Sequence, residues 1–170
     1  MSEAVAFEPE EILRRLVEAD VQFVVIGGIA AQARGSPSFT QDLDIVPSWD
    51  PANLGRLGRV LADLAAVRHE LPDEAPPLPP LDARTLLAGA VFTVSTRFGR
   101  FDLLANPDPG LDFTRLLASA GTAEVSGVQV HVASLDDLIA MKRAAGRPKD
   151  RVELEILGAL REEVDRRPGG

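Results

Sequence analysis

Two aspartates separated by a single residue, Asp42 and Asp44, are the side chains in this sequence best placed to do chemistry. The run Asp42-Leu43-Asp44-Ile45-Val46 alternates polar and apolar, the pattern of a strand with one buried face. Residues two apart on a strand project from the same side, roughly 6.5–7 Å from one another. Leu43 and Ile45 then turn to the core, and the two carboxylates share a rigid open face. Such a pair suits a hard divalent cation, Mg²⁺ or Mn²⁺, which takes one or two protein carboxylates and completes its shell with water and phosphate oxygens. Alone, the pattern is more often a solvated strand face than a metal site.

What precedes the pair changes that balance. Val21-Gln22-Phe23-Val24-Val25-Ile26 is a nearly continuous apolar run of strand length, expected to be buried on both faces. Gly27-Gly28 ends it, and Ile29 to Arg34 reads as a short helix stopped by Gly35-Ser36-Pro37. The unit is therefore strand, glycine turn, helix, acidic strand. Glycine at the turn lets a triphosphate approach the backbone, and the helix that follows points its N–H groups at the anion. A glycine pair also serves an ordinary tight turn, but beside Asp42 and Asp44 the phosphate reading is the stronger. A second anion site is suggested near the C-terminus, where Lys142, Arg143, Arg147, Lys149 and Arg151 surround one acid, Asp150. The same cluster fits a solvated helix end with arginines paired to Asp137, Asp150 or Glu153.

The remaining elements supply the frame. Pro9 to Asp20 is an amphipathic helix, and Asp50-Pro51 opens another to about Val67. Residues 69–82 hold five prolines (72, 76, 77, 79 and 80), the mark of a surface loop. Val91–Thr96 and Arg100–Leu104 read as strands joined by a turn at Phe98-Gly99, followed by a helix over Leu111–Ala118. A tight hairpin is expected at Val125–Val128, leading into the strand Val128–Val132. Ser134 caps a helix to about Ala144, Gly146 breaks it, and Pro148 restarts a last helix to about Val164. This order implies an α+β (α/β-like) domain with a central mixed β-sheet flanked by helices. The 170 residues fit a single domain, 1–170.

Composition narrows the function classes. With no cysteine, disulfides, thiolate metal sites and cysteine nucleophiles are excluded. His69 and His131 lie far apart in sequence and read as structural; Trp49 is expected to pack near the end of the acidic strand. The seven phenylalanines, with no tyrosine, are expected to fill the core rather than to form a base-stacking platform. A net charge of −8 argues against a surface devoted to nucleic acid. No apolar run reaches membrane-spanning length and no leader is visible, so a cytoplasmic location and no membrane partner are expected.

The stretch Gly27-Gly28-Ile29-Ala30-Ala31, Gly35, then Thr40-Gln41-Asp42-Leu43-Asp44-Ile45 resembles the signature of the nucleotidyltransferase superfamily, whose fold is that of DNA polymerase beta. Within it the chain is most similar to the small bacterial branch near the AbiEii-type toxin nucleotidyltransferases. That branch also shows a Gly-Arg-x-Asp strand, here Gly99-Arg100-Phe101-Asp102, and a closing segment like Ser134-Leu135-Asp136-Asp137 through Lys142 to Gly146-Arg147-Pro148-Lys149-Asp150. The resemblance spans roughly residues 12–160. It implies transfer of a nucleoside monophosphate from an NTP to an acceptor (tRNA, protein or a small molecule), with Asp42, Asp44 and Asp102 as catalytic, Mg²⁺-holding carboxylates. It implies further that Gly27, Gly28, Thr40, Lys142, Arg147 and Lys149 bind the nucleotide, and that a cognate antitoxin is a candidate partner; self-association is left open. Two positions depart from the pattern. Gly28 stands where many relatives have serine, and Ser38 where relatives often have a basic residue, for which Arg34 is the nearest substitute. These departures motivate the alternative of a catalytically degenerate nucleotide-binding or regulatory, partner-binding protein.

Overall fold

The computed structural model describes residues 5–69 and 78–167. Seven strands form one mixed sheet in the order β3-β4-β5-β2-β1-β7-β6: β1 Phe23–Ile26, β2 Asp42–Pro47, β3 Val67–Arg68, β4 Val91–Thr96, β5 Gly99–Leu104, β6 Gly121–Val125 and β7 Val128–Val132. β2 runs parallel to β5 and β1 parallel to β7, while the other neighbours are antiparallel. Helices α1 Pro9–Glu18, α2 Gly27–Ala33, α3 Pro51–Asp63, α4 Ala83–Leu87, α5 Phe113–Ser119, α6 Leu135–Ala145 and α7 Asp150–Arg166 flank it. The expected α+β architecture with a mixed sheet is thus the one observed. No helix among the described residues is long and apolar enough to cross a membrane.

All four residues of β1 are buried, as its unbroken apolar run requires of a strand with neighbours on both sides. On β2 and β5 burial alternates, so that Leu43, Ile45, Phe101 and Leu103 are fully enclosed while Asp42, Asp44, Arg100 and Asp102 stand on the opposite face. Ile12, Leu13 and Leu16 of α1 and Leu54, Leu57 and Leu61 of α3 join the same core. Asn53, completely buried, accepts from the Gln22 N–H at 2.7 Å and donates to the carbonyls of Gln22 (3.0 Å) and Ser48 (2.8 Å). One amide side chain thereby fastens the approach to β1 to the exit from β2, at the end of the strand pair away from Asp44. Trp49, just past β2, packs partly buried against the core, as expected.

Several boundaries differ from expectation. α3 stops at Asp63 rather than near Val67, because Ala65 takes a left-handed conformation (φ 48°) and the Ala66 N–H returns to the Leu61 carbonyl at 2.9 Å. Val67 and Arg68 then pair with Ser95 and Val94 as the edge strand β3. The apolar spacing of Leu57, Leu61 and Leu64 runs on through Val67 and hides this break. α2 begins at Gly27 rather than Ile29, and Gly99 belongs to β5, which leaves Arg97-Phe98 as the turn. α5 starts at Phe113, capped by Asp112, whose carboxylate accepts from the Arg115 N–H at 2.9 Å. Of the expected proline-rich loop, residues 70–77 lie outside the described residues; after it, Asp82 caps the unanticipated helix α4 by accepting from the Thr85 N–H at 2.9 Å. The β6–β7 hairpin turns as anticipated through Ser126 and Gly127, both with positive φ (48° and 82°).

Candidate active site

β1 delivers the chain to the glycine elbow directly beside the acidic strand, since Ile26 pairs with Asp44. Gly27 has φ 68°, and a Cβ placed there would lie 2.1 Å from Asp44 Oδ2. Only glycine fits, both for the backbone conformation and for the carboxylate that fills the space. On the other side of β2 the parallel register sets Asp44 against Asp102 and Asp42 against Arg100. That register sets two carboxyl groups side by side, where two negative charges repel unless a proton or a cation lies between them. Burial, then the charge and hydrogen bond of Asp102, then the charge of Asp42, push the Asp44 carboxyl up to about 7, with Lys142 pulling the other way. Asp42 is more open: its side chain is 48% exposed, with Arg100 Nε 3.9 Å from its Oδ1.

Opposite this face, α6 and α7 bring up the basic segment. Gly146 ends α6 in a left-handed conformation (φ 61°), which turns the chain so that Asp150 opens α7 against Lys142. Asp150 is almost completely enclosed and accepts from Lys142 Nζ at 3.2 Å and from Arg147 Nε at 2.9 Å. Burial works to raise its carboxyl, but the hydrogen bonds from Arg147 and Lys142 prevail and hold it below the usual carboxylate range. Asp150→Asn is expected to lower stability by about 2 kcal/mol, the cost of breaking a buried ion pair that retains partial access to water, seen as a lower denaturant midpoint at unchanged slope. Between the two walls lies a cleft of about 560 Å³, within the range of small-molecule sites.

Gly27, Gly28, Thr40, Asp42, Asp44, Asp102, Lys142, Arg147 and Lys149 all line this cleft, whereas Arg143 and Arg151 of the basic segment do not. Nor does Arg34. Its guanidinium donates to the carbonyls of Val132 (2.9 Å) and Ala133 (3.0 Å) and fixes α2 to the end of β7, so it cannot stand in for the missing basic residue. The Gly28 departure has a steric reason: a Cβ there would lie 2.7 Å from Thr40 Cβ and 2.8 Å from Thr40 Oγ1. Thr40 fills the space that a serine at 28 would need, and sets a hydroxyl beside the elbow. Gly28→Ser is therefore expected to destabilise the fold alone and to be tolerated together with Thr40→Gly, a non-additive pair measurable by thermal melts of the two single variants and the double.

Three features had no sequence-level signal. Glu153 lines the cleft and accepts from Ser36 Oγ at 3.0 Å and from Ser38 Oγ, partners more than a hundred residues away. Phe39 sits on the cleft rim 83% exposed, contrary to the expectation that the phenylalanines fill the core. Leu104, Pro107 and Met141 add an apolar stretch of wall. His69 bonds Ser95 Oγ through Nδ1 at 2.7 Å, and His131 is an exposed residue of β7; neither lines the cleft.

The donor set suits a hard cation. The lining carries five acidic side chains (Asp42, Asp44, Asp102, Asp150, Glu153) against three basic ones (Lys142, Arg147, Lys149), a surplus of negative charge that a polyphosphate alone would not enter. Among the described residues no three such side chains stand gathered as a ready-made cage, because Asp42 leans toward Arg100 while Asp44 and Asp102 meet each other. All-oxygen donors with room left for water and phosphate are what Mg²⁺ prefers.

No family model and no curated protein matches the sequence. Solved structures do match the fold. The lincosamide antibiotic adenylyltransferase LnuA, in its lincomycin-bound form, superposes with a TM-score of 0.62 at 14% identity over 92% of this chain and 99% of its own. The antibiotic-resistance factor ANT(2'')-Ia, in complex with adenylyl-2''-tobramycin, gives 0.55 at 17% identity over 92% and 96%. TM1012 of Thermotoga maritima, a candidate nucleotidyltransferase, gives 0.54 at 17% identity over 98% and 100%. With its glycine elbow, paired acidic strands and nearly full-length superposition on these three chains, this protein has the nucleotidyltransferase fold.

Proposed function

We propose that this chain, read as one domain over residues 1–170, transfers a nucleoside monophosphate from an NTP to an acceptor hydroxyl. The observation that carries the reading is the contact of Asp44 with Asp102 on paired strands, beside an elbow where only glycine fits. Mg²⁺ or Mn²⁺ held by Asp42, Asp44 and Asp102 would neutralise the charge on the attacking and leaving oxygens. The protein's own groups do the rest. Gly27 and Gly28 let the triphosphate approach the backbone, with Thr40 alongside, and Lys142, Arg147 and Lys149 hold its negative charge. Asp102, facing the cleft from β5, takes the proton of the acceptor hydroxyl as its oxygen bonds to the α-phosphorus and pyrophosphate departs. Such chemistry belongs where NTP is plentiful, in the cytoplasm.

For the acceptor, the solved neighbours favour a small molecule, since two of them adenylylate antibiotics. The AbiEii-like motifs favour tRNA or protein and a cognate antitoxin. The deciding experiment incubates the chain with α-labelled NTPs, Mg²⁺ and lysate separated into small-molecule, RNA and protein fractions, beside Asp102→Asn. Label in one fraction, absent with the variant, is expected; equal labelling by the variant overturns the mechanism. A second reading, nucleotide binding without turnover, draws support from the pairing of Lys142 and Arg147 with Asp150 and of Ser38 with Glu153, which occupies much of the grip. Tight NTP binding with neither Mg²⁺ dependence nor label transfer would establish it.

A further inference from the structure

The loop between α2 and β2 already holds an anion, and that anion is the protein's own. Ser36 and Ser38 each donate a hydroxyl to a different oxygen of Glu153, which reaches them from the first turn of α7. A serine hydroxyl has one proton to give. With it committed to Glu153, Ser38 offers only lone pairs toward the cleft, and its backbone N–H is committed as well, to Ser36 Oγ at 3.2 Å. Ser38, Thr40 and Glu153 line the same cleft as the glycine elbow, and Thr40 packs against Gly28. Of the two hydroxyls, that of Ser38 borders the cleft and that of Ser36 is buried away from it, so Ser38 is the donor a phosphate could take.

We propose that the Glu153 carboxylate is a built-in competitor for the distal phosphates of the nucleotide: it occupies the Ser38 hydroxyl in the free protein, and the polyphosphate must displace it there. Glu153 then sets how strongly the cleft prefers a triphosphate over a monophosphate, because it weakens the distal grip and leaves the α-phosphate position at the aspartates untouched. This rests on the reading of the cleft as a nucleotide site.

The test is calorimetric, using ATP and AMP as probes at fixed Mg²⁺ concentration on the full chain. Glu153→Gln keeps the shape and one acceptor oxygen but removes the charge, so ATP is expected to bind about 5-fold more tightly, the scale of one partly screened unit charge, with AMP changed less than twofold. Adding Ser38→Ala should erase most of that gain, since the freed hydroxyl is the donor that replaces Glu153. Unchanged or weaker ATP binding by Glu153→Gln overturns the proposal, as does a gain that survives intact in the double variant. Glu153→Ala carries the same expectation should the glutamine variant fail to melt as a folded protein. Wild-type protein that binds neither probe would instead overturn the nucleotide-site reading, and this proposal with it.

Discussion

Asp44→Asn is expected to abolish nucleotidyl transfer and at the same time to stabilise the metal-free protein. The loss should be roughly 10²–10³-fold or more, the scale seen when one preorganised charge that stabilises a transition state is removed. The gain in stability follows from titration. Asp44 has an ordinary value of 3.8 and is raised to about 7 in the folded chain, by burial first and then by Asp102 and Asp42. A group raised on folding contributes stability that is fully present below its unfolded value and is lost as the pH rises through its folded value. Wild-type protein in chelator should therefore melt at a lower temperature at pH 8 than at pH 5, and Mg²⁺ should recover the difference. In Asp44→Asn the amide donates to Asp102 at every pH, so the melting temperature should lose most of this dependence and its response to Mg²⁺. At pH 8 the variant should exceed metal-free wild type by on the order of 2 kcal/mol. A variant that melts below wild type there would show that the Asp44–Asp102 contact is not the strained element it is taken to be.

The second large effect is expected at Gly27. Its φ of 68° is costly for any residue with a Cβ, and the new atom would lie 2.1 Å from Asp44 Oδ2, inside van der Waals contact. The backbone penalty alone is about 1–2 kcal/mol. Relief of the clash requires Asp44 to swing away or the elbow to open, and either change moves the carboxylate relative to the phosphate path. Gly27→Ala should therefore lose transfer as completely as Asp44→Asn, but with a lowered melting temperature at every pH. Opposite stability shifts from two equally inactive variants separate a broken elbow from a missing charge. Gly27→Ala with near-normal transfer would mean that the triphosphate does not approach along the elbow.

Much of this site could be read in the sequence because its parts are local. The Asp42/Asp44 pair, the glycine elbow and the apolar run before it lie within about two dozen residues, and period-two alternation alone says which side chains share a face. The arrangement of the basic segment was harder to read: Lys142, Arg147 and Asp150 converge only because Gly146 reverses the chain. Glu153 carries no local mark, since its partners Ser36 and Ser38 come from the other end of the sequence through packing of α7 on the α2–β2 loop. The misplaced end of α3 has a similar origin. Helical periodicity continues through Val67, but the left-handed Ala65 ends the helix and Val67 pairs with β4 instead, a partner distant in sequence. Phe39 could not be placed from sequence because hydrophobicity says what a side chain prefers and not where the fold leaves it.

The most direct test of the account is titration of a non-hydrolysable NTP into the wild-type protein, with Mg²⁺ and again in chelator. Carboxylates that face one another across β2 and β5 should admit the nucleotide only with the cation, and binding near pH 7 should release a proton as the Asp44–Asp102 pair gives up the one it shares. Binding of equal strength in chelator, with no proton release, would contradict it.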